Sequence, residues 1–147
     1  MRTFIPLALT LAFVAACGRA DDKPDDSTKV TGTITVPKDV KAFSKLVLEV
    51  RLYEYDPRIA DKAADLVDIL IVKDFTHIEG KENVEKIELG AKAKIAAGKS
   101  YYVTVFVLDG DTRTHMADLD HAKGNLGKVL TNGAPSEIKG TLRSLKK

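Results

Sequence analysis

Tyr101-Tyr102-Val103-Thr104-Val105-Phe106-Val107-Leu108 is the stretch on which the fold turns. Tyr101, Val103, Val105 and Val107 alternate with Tyr102, Thr104, Phe106 and Leu108. A period of two is that of a strand, whose successive side chains leave opposite faces. Val, Thr, Tyr and Phe all suit a pleated surface. Both sets are largely apolar or aromatic, so the run predicts a central strand covered on both sides.

Working outward, Asp109-Gly110-Asp111 reads as a hairpin tip, since Gly110 supplies the positive φ that a tight turn needs. Thr112–Leu119 then forms the return arm. Lys128–Thr131 is a short strand before a second tight turn at Asn132-Gly133, and Ile138, Gly140 and Leu142 alternate with Lys139, Thr141 and Arg143 in a last strand. Towards the N-terminus, Leu46, Leu48, Val50 and Leu52 alternate with Val47, Glu49, Arg51 and Tyr53 until Asp56-Pro57 stops the strand. Val30, Ile34 and Val36 face one way in an earlier strand and Thr31, Thr33 and Thr35 the other, with Gly32 on the inner face as a bulge or a point of close approach. Residues 58–75 are ambiguous. Ala63, Leu66, Val67, Leu70 and Ile71 fit helical spacing, whereas Ile69, Ile71 and Phe75 fit a strand. The reading favours a helical turn or loop over 58–65 and a strand over 66–77, then a turn at Gly80 and a weaker strand over Val84–Leu89. Seven or eight short, mostly antiparallel strands make this an all-β chain, an immunoglobulin- or transthyretin-like small β-sandwich over residues 29–147.

The N-terminus is of a different kind. Arg2 precedes an apolar run from Phe4 to Val14, too short for a membrane span of about 20 residues and typical of a secretory signal. Val14-Ala15-Ala16-Cys17 resembles the bacterial lipobox, which implies cleavage of residues 1–16 and lipidation of Cys17. Several acyl chains on one residue suffice for stable anchoring. Residues 17–28 continue as an acidic stretch, GRADDKPDDST after the Cys, with nothing larger than Ala to enter a core, and are expected to be a disordered tether. Gly18 stands where Asp would signal inner-membrane retention in enteric bacteria, so a periplasm-facing outer-membrane location is favoured.

Composition excludes several functions. Of 147 residues, 23 are Lys or Arg and 21 are Asp or Glu, a net charge of +2 that is too small for a nucleic-acid binder. One Cys forbids a disulfide framework, and its lipidation removes thiol chemistry.

Four segments together suggest a family. Val30–Pro37 (VTGTITVP), Leu46–Tyr55, Tyr101–Val107 and Val129–Pro135 (VLTNGAP) resemble, in order and spacing, the YbaY/YscW-type bacterial lipoproteins. The resemblance implies a small β-sandwich lipoprotein facing the periplasm. In the family's secretion branch such a protein is a pilotin that helps an outer-membrane secretin to localise or assemble. The chain departs from the pattern in a charged insert near Lys81–Lys86 and a polar segment from His115 to Lys128. The family offers no catalytic residues to carry over.

Candidate chemistry is sparse. Arg51, Tyr53 and Tyr55 share the outer face of a strand, and Tyr and Arg are enriched at binding surfaces, so these three are the candidate partner-binding residues. Thr114–His121 gathers two His, one Met and two Asp, and His115, Met116 and His121 give an alternative reading as a periplasmic copper or zinc site. His115 and His121 converge on one ion only if the chain turns near Asp118–Asp120, and neighbours His115 and Met116 face opposite sides of a strand. The spacing of Asp109, Asp111, Asp118 and Asp120 does not match a calcium loop. His77 has no catalytic partner in sequence, Glu85 and Glu88 sit among lysines, and neither a nucleophile elbow nor a phosphate-binding loop is present. The expectation is a non-enzymatic envelope module with no cofactor beyond the covalent lipid. It would be anchored to the membrane, with a possible envelope protein as partner.

Overall fold

The computed structural model describes residues 27–120, 122 and 126–145, and every regular element among them is a strand. These are β1 (Val30–Val36), β2 (Phe43–Tyr55), β3 (Asp65–His77), β4 (Asn83–Leu89), β5 (Ser100–Asp109), β6 (Thr112–Leu119), β7 (Gly127–Val129) and β8 (Glu137–Ser144). The all-β expectation is met, and residues 58–64 form turns, bends and irregular chain, not a helix, before β3 begins at Asp65. Among the described residues no helix is long and apolar enough to cross a membrane.

The strands form one sheet in the order β3-β2-β5-β6-β8-β1-β4, with β7 pairing the N-terminal part of β5. Neighbours are antiparallel except β1 and β8. The sheet wraps until its two end strands lie side by side. β3 and β4 are joined by the short connection 78–82, and at the far end the Asp68 carboxylate accepts the Gly90 N–H at 2.6 Å. The result is a nearly closed, barrel-like sandwich.

Alternation fills its interior. Val30, Ile34, Leu48, Val50, Leu52, Val103, Val107 and Val129 are fully buried in one core cluster. Gly32 is the close-approach point: the β1–β8 register sets it beside Ile138, and a Cβ there would overlap the Ile138 carbonyl oxygen. Gly110 turns the β5–β6 hairpin, and Asn132 and Gly133 both take positive φ, 56° and 76°.

Two expectations change. β5 is central by pairing, but only its Tyr101, Val103, Val105, Val107 face is buried throughout; on the other face Thr104 is buried while Tyr102, Phe106 and Leu108 are half-buried. A single wrapped sheet has one inside, so no second layer covers the outer row. At the N-terminus, Ser27 and Thr28, read as the end of the tether, belong to the body. Ser27 bridges to Lys94, and fully buried Thr28 bonds Ala93 O through its N–H and Gly90 O through its hydroxyl. Cys17 and the rest of the tether lie outside the described residues.

Candidate docking surface

The outer row of β2 is Glu49, Arg51, Tyr53 and Tyr55, and register lays it against β5. Glu49 opposes Phe106, Arg51 opposes Thr104 and Tyr53 opposes Tyr102. On the other flank, Ile71, Ile69 and Leu66 of β3 oppose Glu49, Arg51 and Tyr53. Pairing therefore builds a continuous outer surface of aromatic and aliphatic side chains with an ion pair set into it.

Its parts hold one another in place. The Tyr53 and Tyr102 rings stack with centroids 5.1 Å apart and 20° between planes, and Tyr55 tilts against Tyr102 at 5.8 Å. Such offset contacts contribute about 0.5–1.5 kcal/mol beyond area burial. Arg51 Nη1 donates to Tyr53 Oη at 3.2 Å, and Arg51 Nε lies 2.7 Å from Glu49 Oε1. Both of those last atoms are shut off from water with no well-aligned hydrogen bond, so their attraction is ionic. The hydrogen bond to Tyr53, then the close Glu49 carboxylate, raises the Arg51 pKa and keeps the guanidinium charged. Burial, and next the neighbouring phenols of Tyr53 and Tyr55, push the Tyr102 hydroxyl up, so it stays a neutral donor at pH 7. Arg113 sits 4.1 Å above the Phe106 ring, a cation–π contact. Beside the tyrosines, Tyr55, Lys62, Ala64, Tyr102, Leu126 and Lys128 line an open cleft of about 320 Å³. Rigid aromatic anchors around a shallow apolar cleft with a cationic rim suit the binding of a protein segment.

The fold has a counterpart among solved structures. It is similar to an alternative pilotin from the type II secretion system of Vibrio cholerae. The TM-score is 0.54 at 16% sequence identity, over 81% of this chain and 97% of that one. At that identity the likeness is one of fold and carries no residue across. No family profile and no curated protein matches the chain.

Arg51, Tyr53 and Tyr55 thus lie on one surface. Sequence reading misses Tyr102 and Phe106 as members of it, because it places the outer row of β5 on a covered face, and misses Lys128 because the pairing of β7 with β5 is not local.

The metal alternative fares differently. His115 points inward, 8% exposed, its ring 5.0 Å from Phe43. Met116 opposes Phe106 on the outer face, where Arg143 Nη2 reaches its Sδ at 3.1 Å. The two do not converge, and His121 lies outside the described residues. Among those residues no group of three or more His, Cys, Asp or Glu is placed to hold a metal. Both described histidines are held by structural contacts. Thr114 Oγ1 donates to Val107 O, so it accepts from His115 Nδ1–H at 2.9 Å. His77 is buried at 2% exposure and donates Nε2–H to Val40 O at 3.1 Å, which leaves its Nδ1 without a partner.

Proposed function

We propose that this chain is a lipid-anchored, periplasm-facing lipoprotein that acts by binding, as a pilotin-like assembly module of the YbaY/YscW type. In this reading Cys17 carries the lipid and the outer membrane holds it. The face of Arg51, Tyr53, Tyr55 and Tyr102 docks a segment of an envelope protein, a secretin in the leading case. The observation that carries the proposal is the fold likeness to a type II secretion pilotin over nearly the whole of that protein. A pre-ordered aromatic face supports it, since anchors already locked by stacking and an ion pair lose little entropy on binding.

Mild crosslinking in cells that produce the chain, followed by purification, tests this reading. An enriched envelope protein is expected, and Tyr53→Ala combined with Tyr102→Ala should lose it while leaving circular dichroism unchanged. Hot-spot residues of this kind cost at least about 2 kcal/mol when truncated, roughly thirtyfold in affinity. Recovery of the chain without partners, or capture indifferent to both tyrosines, would overturn the docking role. An unacylated Cys17 by mass spectrometry would overturn the anchor.

A further inference from the structure

Charge is shared unequally between the two ends of the sandwich. At one end, residues 56–64 link β2 to β3 and residues 90–99 link β4 to β5. The two connections touch: a Cβ at Gly98 would stand 3.5 Å from Arg58 Nη2, and Lys99 Nζ lies 3.9 Å from Asp56 Oδ2. Together they hold five cations, Arg58, Lys62, Lys92, Lys94 and Lys99, against two acids, Asp56 and Asp61. Buried Asp56 is already shared between Arg58 and Lys99, and Lys62 pairs with Asp65 of β3. Lys92 and Lys94 are exposed and have no ion pair among the described residues. Next to them the connection 130–136 carries no charge, and Asp120 is the only charge among the described residues of 120–126. The opposite end, formed by 37–42, 78–82 and 110–111, sets three lysines against Asp39, Glu79, Glu82 and Asp111.

Apolar exposure alone does not tell the ends apart, since each presents an isoleucine, Ile59 at 51% and Ile78 at 58%. Their surroundings do. Ile59 stands among exposed Pro57, Arg58 and Ala60, with the lysines of 90–99 on the adjoining connection, whereas Ile78 is followed by Glu79. Aliphatic groups set among cations suit the boundary of an anionic bilayer, where the first enter the headgroup layer and the second meet phosphates. The chain also enters the body at the cationic end. Ser27 bridges to Lys94, and Thr28 N–H donates to Ala93 O at 2.9 Å. Nine residues stand between Cys17 and Ser27. Fully extended they span about 35 Å at most, so a lipid on Cys17 brings this end nearest the bilayer.

We propose that residues 56–64 and 90–99 form a seat for an anionic bilayer surface, in which Arg58, Lys92 and Lys94 meet lipid phosphates while Pro57 and Ile59 enter the headgroup layer. Only its orientation rests on the lipid that the proposed function puts on Cys17; the preference for anionic lipid belongs to the two connections themselves. Seated in this way, the sandwich keeps the side that bears Arg51, Tyr53 and Tyr102 open to a partner. The competing occupant is the chain's own tether, whose four Asp outnumber Arg19 and Lys23 and which joins the body beside the same lysines.

A polarity-sensitive fluorophore tests the seat. It is attached at Ala97→Cys or, as the control at the opposite end, at Ile78→Cys, in the full chain as the producing cell delivers it. Each chain is reconstituted with vesicles of phosphatidylcholine alone or of phosphatidylcholine mixed with phosphatidylglycerol. The probe at 97 should shift to the blue with the anionic vesicles only, and the probe at 78 with neither. About 1 M salt, which shortens the screening length to about 3 Å, should reverse the shift. Lys92→Glu with Lys94→Glu should lower the ratio of seated to unseated chain roughly thirtyfold, the worth of two cations near an anionic surface, and Lys92→Gln with Lys94→Gln should also lower it. Both lysines are exposed, so circular dichroism should show the fold intact. Equal shifts with the two vesicle types, an equal shift at 78, persistence in high salt, or indifference to the lysine changes would each overturn the proposal. So would a probe at 97 already shielded without vesicles, the result expected if the acidic tether covers the lysines. An anchor acts alike on both vesicle types, and mass spectrometry of Cys17 in the same sample reports its failure separately.

Discussion

Gly32 lacks a side chain because Ile138 stands where one would go. A Cβ at Gly32 would overlap the Ile138 carbonyl and come within 2.8 Å of its Cγ1, so Gly32→Ala must push β1 from β8. We expect a loss of about 1–3 kcal/mol, the usual cost of overfilling a packed site. Gly140 is the control. Its Cβ would meet Leu119 Cδ2 at 2.7 Å and Ile34 Cδ1 at 2.9 Å, the ends of side chains that can turn aside, so Gly140→Ala should cost less. Urea midpoints of the two variants decide it, and equal losses would mean that backbone crowding is not what fixes Gly32. Alternation with Val30 and Ile34 is enough to mark Gly32 as inward. The environment of His115 was not legible in the same way, because Phe43 and His77, its neighbours, are remote in sequence. Burial, and then the nearby His77, depress the His115 pKa. The unfolded chain, with an ordinary histidine pKa of about 6.5, therefore takes up the proton more readily than the folded one. Stability should be full above about pH 6.5 and fall as the pH drops below it. His115→Phe should flatten the curve of unfolding free energy between about pH 7 and about pH 5. A second acid loss comes lower: the hydrogen bonds of Arg58 hold the Asp56 carboxyl well below the usual range, so Asp56 contributes until the pH falls beneath about 4. A His115→Phe variant as acid-sensitive near pH 6 as the parent would refute the assignment.

Strands β1 and β5, and β2 from Leu46 onward, were plain in the sequence because each keeps one phase of alternation there, whereas a bulge at Thr114 breaks the phase of β6. β3 was ambiguous for a physical reason. Bulges near residue 67 and at Asp74 each insert a residue and shift the phase, so inward Phe75 and inward Leu70 lie five apart and a helical spacing fits the apolar residues as well. What made the segment a strand was β2, whose thirteen residues offer a partner along its full length, and that information is not local. The parallel β1–β8 pair was illegible too, since nothing in either strand names a partner more than a hundred residues away. The seam between β3 and β4 was likewise invisible, and a side chain closes its far end. Asp68 accepts from Gly90 N–H at 2.6 Å and from Ile69 N–H at 2.8 Å, doing for the two edges what a ladder bond would do. Hydrogen bonds to a charged group contribute about 1.5–3 kcal/mol. Asp68→Ala should lose that amount and speed hydrogen exchange at the Gly90 amide, whereas Asp68→Asn, which keeps an acceptor, should lose less. Unaltered exchange at Gly90 in Asp68→Ala would show that the seam is closed by packing instead.

At the scale of the molecule, sheet order rather than strand identity governs behaviour. A single wrapped sheet explains why the outer row of β5 became a surface: the strands that would have formed a second layer are used to close the first. It also sets how the chain must fold. β8, the last strand in sequence, lies between β6 and β1, so the ladders that join the two halves of the sheet form only when the C-terminus arrives. Ile138 and Leu142 bring fully buried side chains with it, each 1% exposed. A chain ending at Pro135 would leave β1 joined only to β4, and β6 only to β5, with the core open between them. It should therefore show no cooperative unfolding transition in urea and should bind a hydrophobic dye. For the intact chain, pairing of β1 with β8 closes a loop longer than any hairpin, and sheets dominated by such distant pairs fold in about milliseconds to seconds rather than microseconds. Stopped-flow refolding should fall in that slow range. Gly32→Ala should slow it only if the β1–β8 contact is already formed at the barrier, and otherwise should speed unfolding alone. A truncated chain that still unfolds cooperatively would mean that the two halves are independent units, and the single-sheet account of this protein's stability would fail.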